Sequence, residues 1–229
     1  MMQRRSLLKA AAASPLVLGL GNSLGAATDA RPWALCNEDF YTEGKFDQEK
    51  AKDGVLALCG RFGYPVFPGL REGLWVSDYG TGQYARLGLA AYMFANRYDD
   101  GDAYMMLDLF LLPGQMLPEH WHAQGDHGIT KNEGWLVRWG TSYIVGIGEE
   151  NLASFPQIKI PEFHCKGTAS VRHVIETTPG IFVPLAASES RHWQYGGPEG
   201  AIVTEVANFH TNSATRHSDP ALDRYFLES

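Results

Sequence analysis

The sequence predicts an all-β protein, a sandwich or small barrel that the chain enters through one helix. Glycine makes up 25 of the 229 residues, about 11% against roughly 7% in an average protein. Together with 12 prolines, this content favours the many tight turns that short strands require. No internal repeat or low-complexity linker divides the chain after residue 27, so one domain is expected.

The helix is predicted at QEKAKDGVLALCGRF, residues 48–62. Asp47 is a suitable N-cap, and Gly63 and Pro65 end the pattern. Apolar residues recur along it at three- and four-residue spacing and predict one buried face: Ala51, Val55, Leu58, Cys59 and Phe62.

Beyond the helix, short apolar segments alternate with turns rich in Gly, Pro, Asn and Asp. Strands of this length and turn density indicate a sandwich or small barrel. The segments predict strands at residues 73–78, 87–96, 104–112, 117–122, 133–139, 141–147, 171–176, 181–185, 190–195 and 201–210.

Residues 1–27 have the pattern of an export signal. Arg4 and Arg5 precede the apolar run AAAASPLVLGLG, and small residues follow it. The paired arginines before Ser-Leu-Leu-Lys resemble a twin-arginine signal, so residues 28–229 are expected as the mature, periplasmic protein. The apolar run is too short to span a bilayer.

Net charge and cysteine spacing argue against two kinds of function, nucleic-acid binding and a cysteine-based zinc or redox site. The net charge of −7, with no basic cluster beyond the N-terminus, argues against nucleic-acid binding. The three cysteines, Cys36, Cys59 and Cys165, are too widely spaced for a zinc or redox motif, and buried thiols are expected.

Three of the eight histidines lie within residues 113–140, PGQMLPEHWHAQGDHGITKNEGWLVRWG. His120 and His122 alternate in a predicted strand and therefore face the same side, where two imidazoles can bind one metal ion. Such a pair is also common on a polar β-surface.

Glu133 makes the metal interpretation stronger. It shares a predicted strand face with Trp135, Val137 and Trp139, where an unpaired carboxylate is costly to bury. Asp126, at a shorter spacing from the histidines, is the alternative carboxylate. The strand pattern favours Glu133, since AQGDHG has the composition of a loop, and this places His127 in that loop as well.

The order of these residues resembles the two metal-binding motifs of cupins, which are double-stranded β-helix (jelly-roll) barrels. The resemblance implies an N-terminal helical extension on such a barrel and four ligands to one divalent metal: His120, His122, Glu133 and His192. Such nitrogen and oxygen ligands suit Mn²⁺, Fe²⁺ or Co²⁺ better than a closed zinc site, although zinc is also an option. The gap of ten residues after His122 is longer than is usual in cupins.

The chain also resembles the D-lyxose isomerase-like sugar isomerases, over most of residues 35–225. The resemblance is carried by three segments: KNEGWLVRWGTSYIVGIGEE, SRHWQYGGPEGAIVTEVANFH and SDPALDRY. It implies an aldose–ketose isomerase that acts on a free sugar of the D-lyxose or D-mannose type through an enediolate. Manganese is the preferred metal, and a homodimer is a possible assembly. The alternatives are a metal-dependent cupin oxygenase and a non-catalytic, exported sugar-binding cupin.

Glu205 is the candidate base, because it lies on an apolar strand face where burial raises a carboxyl pKa. Lys131 is a candidate donor to a substrate oxygen or is solvated. Arg224 is a candidate sugar ligand or belongs to a surface ion pair. Trp139 and Trp193 are candidate pocket walls. The histidines without a pattern are expected to be structural or solvated: His164, His173, His210 and His217.

Overall fold

An antiparallel sheet of nine strands dominates the protein, which is described by a computed structural model. The structure describes residues 35–99, 102–125 and 128–228, and these lie in one compact unit. The predicted signal at residues 1–27 lies outside the described residues. Among the helices of the described ranges, none is both long and apolar enough to cross a membrane.

The strands in chain order are β1 (Tyr41–Thr42), β2 (Lys45–Phe46), β3 (Leu74–Ser77), β4 (Leu89–Asp99), β5 (Asp102–Leu111), β6 (Met116–His122), β7 (Glu133–Gly146), β8 (His173–Thr177), β9 (Phe182–Pro184), β10 (His192–Ala207) and β11 (Thr215–His217). The α-helices are α1 (Gln48–Phe62), α2 (Leu70–Gly73) and α3 (Pro220–Glu228). Short 3₁₀ helices occupy Asn37–Phe40, Leu152–Ser154 and Asn212–Ala214. The all-β prediction with one entry helix is confirmed, whereas β1, β2, β11, α2 and α3 are not predicted.

Helix α1 has the predicted bounds and caps. The Asp47 side chain accepts hydrogen bonds from the backbone N–H groups of Glu49 and Lys50, which would otherwise lack partners. Gly63 ends the helix in the left-handed region, at a φ of 67°. The predicted apolar face is buried except for Phe62, which is partly exposed.

Strand β10 organises the sheet, because it pairs with three other strands. Its first part pairs with β6, its second part with β5, and β7 runs beside most of its length. Both long strands bend near Gly140 and Gly200, which have φ values of 72° and 80°. A Cβ on Gly140 would lie 2.1 Å from the carbonyl oxygen of Gly200, so this corner requires glycine. The bend closes the two halves of the sheet around a common core.

The sequence predicts β7 and β10 each as two separate strands. The sequence predicts a turn at Gly140 and a break between residues 195 and 201, but β7 and β10 continue through both. The register passes from Gly196 opposite Ser142 to Ala201 opposite Gly140, so residues 197–200 form an irregularity within β10 that has no partner on β7.

The prediction of buried thiols is wrong for Cys36, which is exposed. Cys59 is buried on α1, and Cys165 is partly buried. All three are free thiols, so no disulfide supports the fold in the described residues.

Candidate metal centre and active site

Two paired strands present three histidines to the interior. His120 and His122 alternate on β6 and therefore point to one face. His192, the first residue of β10, lies directly opposite His120 in the antiparallel register. One ring nitrogen from each of the three lies within 4.8 Å of the other two. This cluster could hold one metal ion.

Glu133, the first residue of β7, lies against the same cluster. Its Oε1 is 3.2 Å from Nε2 of His122 and 3.1 Å from Nε2 of His192. The structure therefore brings together one carboxylate and three imidazoles, which are the four ligands that the resemblance implies.

The long spacing between His122 and Glu133 has a structural cause. Strand β6 ends at His122 and β7 begins at Glu133, and between them a β-bridge pairs Gln124 with Thr130. The Glu133 carboxylate, eleven residues beyond His122, thereby lies beside the histidines. Asp126, the alternative carboxylate, and His127 lie outside the described residues.

The backbone selects the tautomers of two histidines. Nδ1 of His120 lies 2.8 Å from the carbonyl oxygen of Pro118, and Nδ1 of His192 lies 3.0 Å from that of Ser190. A carbonyl oxygen only accepts, so each Nδ1 carries the proton and each Nε2 keeps its lone pair. The two Nε2 atoms are 3.1 Å apart, so two lone pairs face each other. A cation between them would remove this repulsion.

Two further atoms of the cluster fit a bound cation. Nε2 of His122 and Oε1 of Glu133 are buried, and neither has a well-aligned hydrogen bond to any described residue. Buried polar atoms normally have partners. Three imidazole nitrogens and one carboxylate oxygen are a donor set suited to Mn²⁺, Fe²⁺, Co²⁺ or Zn²⁺. The residues present therefore fit a divalent metal.

Lys131 joins this cluster to a second carboxylate. Its Nζ lies 2.6 Å from Oε2 of Glu133 and 2.5 Å from Oε1 of Glu205. Trp135 pairs with Glu205 across β7 and β10 and donates from Nε1 to Oε2 of Glu205 at 3.1 Å. All four side chains are buried, so Lys131 and Trp135 hold Glu205 in one orientation.

The two carboxylates have opposite pKa shifts. Burial raises the pKa of Glu205 to about 7; Lys131 opposes this shift in part, and Glu133 adds to it. Burial also opposes the charge on Glu133, but Lys131 and then His122 outweigh it and hold its pKa well below the usual range. A pair of carboxylates whose pKa values are separated in this way is suited to acid–base chemistry.

Replacing Lys131 by methionine is expected to lower the free energy of unfolding by about 3–5 kcal/mol, because it leaves two buried carboxylates without their cation. Chemical denaturation of the wild type and variant measures the change. The double variant Lys131→Met/Glu205→Gln is expected to recover part of the loss, since the neutral amide needs no cation. A Lys131→Met protein as stable as the wild type would contradict the buried cluster.

A cavity of about 440 Å³, including its mouth, opens beside these groups. Its polar end is formed by His120, His122, Lys131 and Glu205. Leucine and alanine side chains from strands β4, β5 and β6 form its apolar walls: Leu89, Ala91, Leu107, Leu109 and Leu117.

His210 and His217 also line this cavity, although the sequence predicts only structural or solvated roles for them. His217 lies opposite His120 because β11 pairs with β6. Strand β11 has three residues, Thr-Arg-His, and no apolar alternation that would distinguish it from a loop. His210 lies beyond the end of β10, where no strand pattern applies.

The prediction that Trp139 shares a face with Glu133 is wrong. Residue 203 pairs with residue 137 and residue 202 with residue 139, so Arg138 is an extra residue that forms a β-bulge. The bulge turns Trp139 to the other face of the sheet, where it packs against Tyr64 with ring centroids 5.4 Å apart. Trp139 therefore does not line the cavity described above.

Two other candidate substrate ligands also lie outside this cavity. Trp193 is fully buried and donates from Nε1 to the carbonyl oxygen of Val171 at 3.0 Å. Arg224 is exposed on α3. Neither residue is among the described residues that line the cavity.

Comparison of the sequence with known proteins identifies close relatives, although no family model matches the chain. A D-lyxose ketol-isomerase of Cohnella laeviribosi is 32% identical over 177 residues, which cover 76% of this chain and 92% of the relative. A D-lyxose/D-mannose isomerase of Thermosediminibacter oceani is 30% identical, with 77% and 93% covered.

Solved structures support the fold. An L-ribose isomerase of Cellulomonas parahominis superposes with a TM-score of 0.56 at 14% identity and covers 79% of this chain. An L-ribose isomerase of Acinetobacter sp. DL28 gives a TM-score of 0.54 at the same identity and coverage. These matches cover 94% of each neighbour and confirm the cupin-type jelly-roll barrel. With its close sequence relatives, the chain belongs to the D-lyxose isomerase family and is a sugar isomerase that interconverts aldoses and ketoses.

Proposed function

We propose that the protein is a metal-dependent isomerase of a free sugar, of the D-lyxose/D-xylulose or D-mannose/D-fructose type. The observation that carries this proposal is the position of Glu205. It is a buried carboxylate with a pKa of about 7, in the wall of a cavity that also contains the His120 and His122 side chains. Aldose–ketose exchange needs such a group, because a proton must leave C2 and return at C1.

His120, His122, Glu133 and His192 would hold the metal, with Mn²⁺ preferred. A divalent cation held by these residues would stabilise the negative charge that develops on the sugar oxygens at C1 and C2.

Glu205 takes the proton from C2 and returns it to C1. Trp135 and Lys131 each occupy one of its carboxylate oxygens, so the side chain cannot swing away between these steps. Lys131 lines the same cavity and can donate to a sugar oxygen whose charge increases. The apolar walls exclude water and preserve the raised pKa of Glu205.

A turnover assay tests the function. The chain from Thr28 is stripped with EDTA, reloaded with Mn²⁺, and assayed for ketose formation from D-lyxose, D-mannose and D-xylose. Metal-dependent ketose formation from D-lyxose or D-mannose is expected. Absence of turnover on all three sugars by protein with one bound metal per chain would refute the proposed substrate class.

The pH dependence follows from the Glu205 pKa of about 7. The base must be ionised to accept a proton, so kcat/KM is expected to rise with pH through about 7 and to fall about tenfold per unit below it. Initial rates between about pH 5.5 and 9 give the profile. A flat profile over this range would exclude Glu205 as the titrating base.

A further inference from the structure

His210 lies next to the histidine cluster but is not part of it. Its ring centroid is 6.0 Å from that of His122, and its side chain lines the cavity. The Trp75 ring also lies near it, with ring centroids 6.3 Å apart. The proposed reaction at C1 and C2 makes no use of this histidine.

Two asparagines hold His210 in place. The Asn96 side chain donates to the backbone carbonyl of His210 at 2.9 Å and accepts from its backbone N–H at 3.0 Å. Nε2 of His210 lies 2.9 Å from Oδ1 of Asn212. Backbone and ring are therefore both fixed, as a specific binding group requires.

The contact with Asn212 leaves Nδ1 of His210 as an acceptor. An amide oxygen only accepts, so Nε2 carries the proton of the neutral ring and Nδ1 has the lone pair. Nδ1 is buried and has no hydrogen-bond partner among the described residues. A buried acceptor without a donor is costly, and this cost is removed when a ligand donates to it.

We propose that Nδ1 of His210 accepts a hydrogen bond from a sugar hydroxyl beyond C2, at C4 or C5, and thereby selects for that hydroxyl. The inference rests on the proposed function, which places O1 and O2 at the histidine cluster. A sugar extending from there along the cavity carries a hydroxyl donor on each carbon. The leucine and alanine side chains of the cavity wall cannot pair with such a hydroxyl, whereas Nδ1 of His210 can accept from it. Tyr79, Thr215 and His217 are further polar side chains of this cavity.

The test combines two changes, one in the protein and one in the sugar. We would measure kcat/KM of the manganese-loaded enzyme for D-lyxose and its 4-deoxy and 5-deoxy analogues. The kcat/KM of the wild-type enzyme is expected to be about 10- to 100-fold lower for one analogue than for D-lyxose, and we call this ratio the deoxy penalty. His210→Phe is expected to lower kcat/KM for D-lyxose by a similar factor relative to the wild type. For that analogue its kcat/KM should be close to that of the wild type. A purely structural role would lower the rates on all sugars alike and leave the deoxy penalty unchanged.

Two further variants serve as controls. His173→Phe changes a half-buried histidine on β8 that does not line this cavity, and it should keep the wild-type penalty. Asn212→Leu removes the partner that fixes the ring tautomer and should reduce the penalty in part. A penalty that is equal in wild type and His210→Phe for both analogues would overturn the inference.

Failure of the proposed function can be distinguished from failure of this inference. If the wild type forms no ketose, the same comparison is made with dissociation constants, measured by calorimetry on manganese-loaded protein. A deoxy penalty in affinity that His210→Phe removes would support the role of His210 without turnover. Absence of binding of D-lyxose would overturn both proposals.

Discussion

Glu205→Gln is expected to lower kcat about 10³-fold, within the usual contribution of a general base. The amide has nearly the same shape, but only its oxygen can accept, so it keeps one of the two hydrogen bonds from Lys131 and Trp135, and it cannot take a proton from C2. KM and the bound metal should change little, whereas the lost hydrogen bond should lower the thermal midpoint. The loss would be confined to the chemical step.

Steady-state kinetics on D-lyxose, together with metal analysis of the same preparation, measure this effect. Glu176→Gln is the matched control, because Glu176 is exposed on β8 and should leave kcat unchanged. If Glu205→Gln kept kcat within about tenfold of the wild type, another group would have to move the proton.

The sequence predicts several residues of the site because local patterns along a strand determine which face each side chain occupies. Alternation on a strand places His120 and His122 on one face, and an apolar strand face predicts a buried Glu205. Residue spacing does not give the register of β10 against β6 and β7. Only the resemblance to cupins therefore predicts that these residues lie beside Glu133 and His192. The structure brings all of them together.

Irregularities of the strands could not be predicted in this way. The extra residue at Arg138 reverses the alternation along β7, so Trp139 faces away from Glu133. Gly140 has the sequence signature of a turn, yet β7 continues through it, and its backbone lies against that of Gly200 on the partner strand. Both outcomes depend on pairing between distant segments, which local patterns do not contain.

The cavity histidines show a second limit. His217 reaches the cavity through the pairing of the short strand β11 with β6, and His210 reaches it through two hydrogen bonds to Asn96, 114 residues earlier in the chain. Neither has a local signal that separates it from a surface histidine. Tertiary contacts alone assign them to the cavity.

Glu133→Gln is expected to have a different signature from Glu205→Gln, because it should remove the metal. The neutral amide is a weaker ligand, and Lys131 would lose one of its two carboxylate partners. Changes in groups that only orient metal ligands typically cost 10- to 100-fold in metal affinity, so loss of a ligand should cost at least about 100-fold. Activity at limiting Mn²⁺ should fall accordingly, whereas Glu205→Gln should retain its metal.

Thermal unfolding with and without Mn²⁺ separates the two variants without relying on turnover. A metal that binds only the folded state stabilises it by about 4 kcal/mol at 1,000 times its dissociation constant. Wild type and Glu205→Gln should therefore show a clear rise in Tm on addition of Mn²⁺, and Glu133→Gln little or none at the same concentration. An equal rise in all three proteins would mean that Glu133 is not a ligand, and the carboxylate would then have to be sought elsewhere around the three histidines.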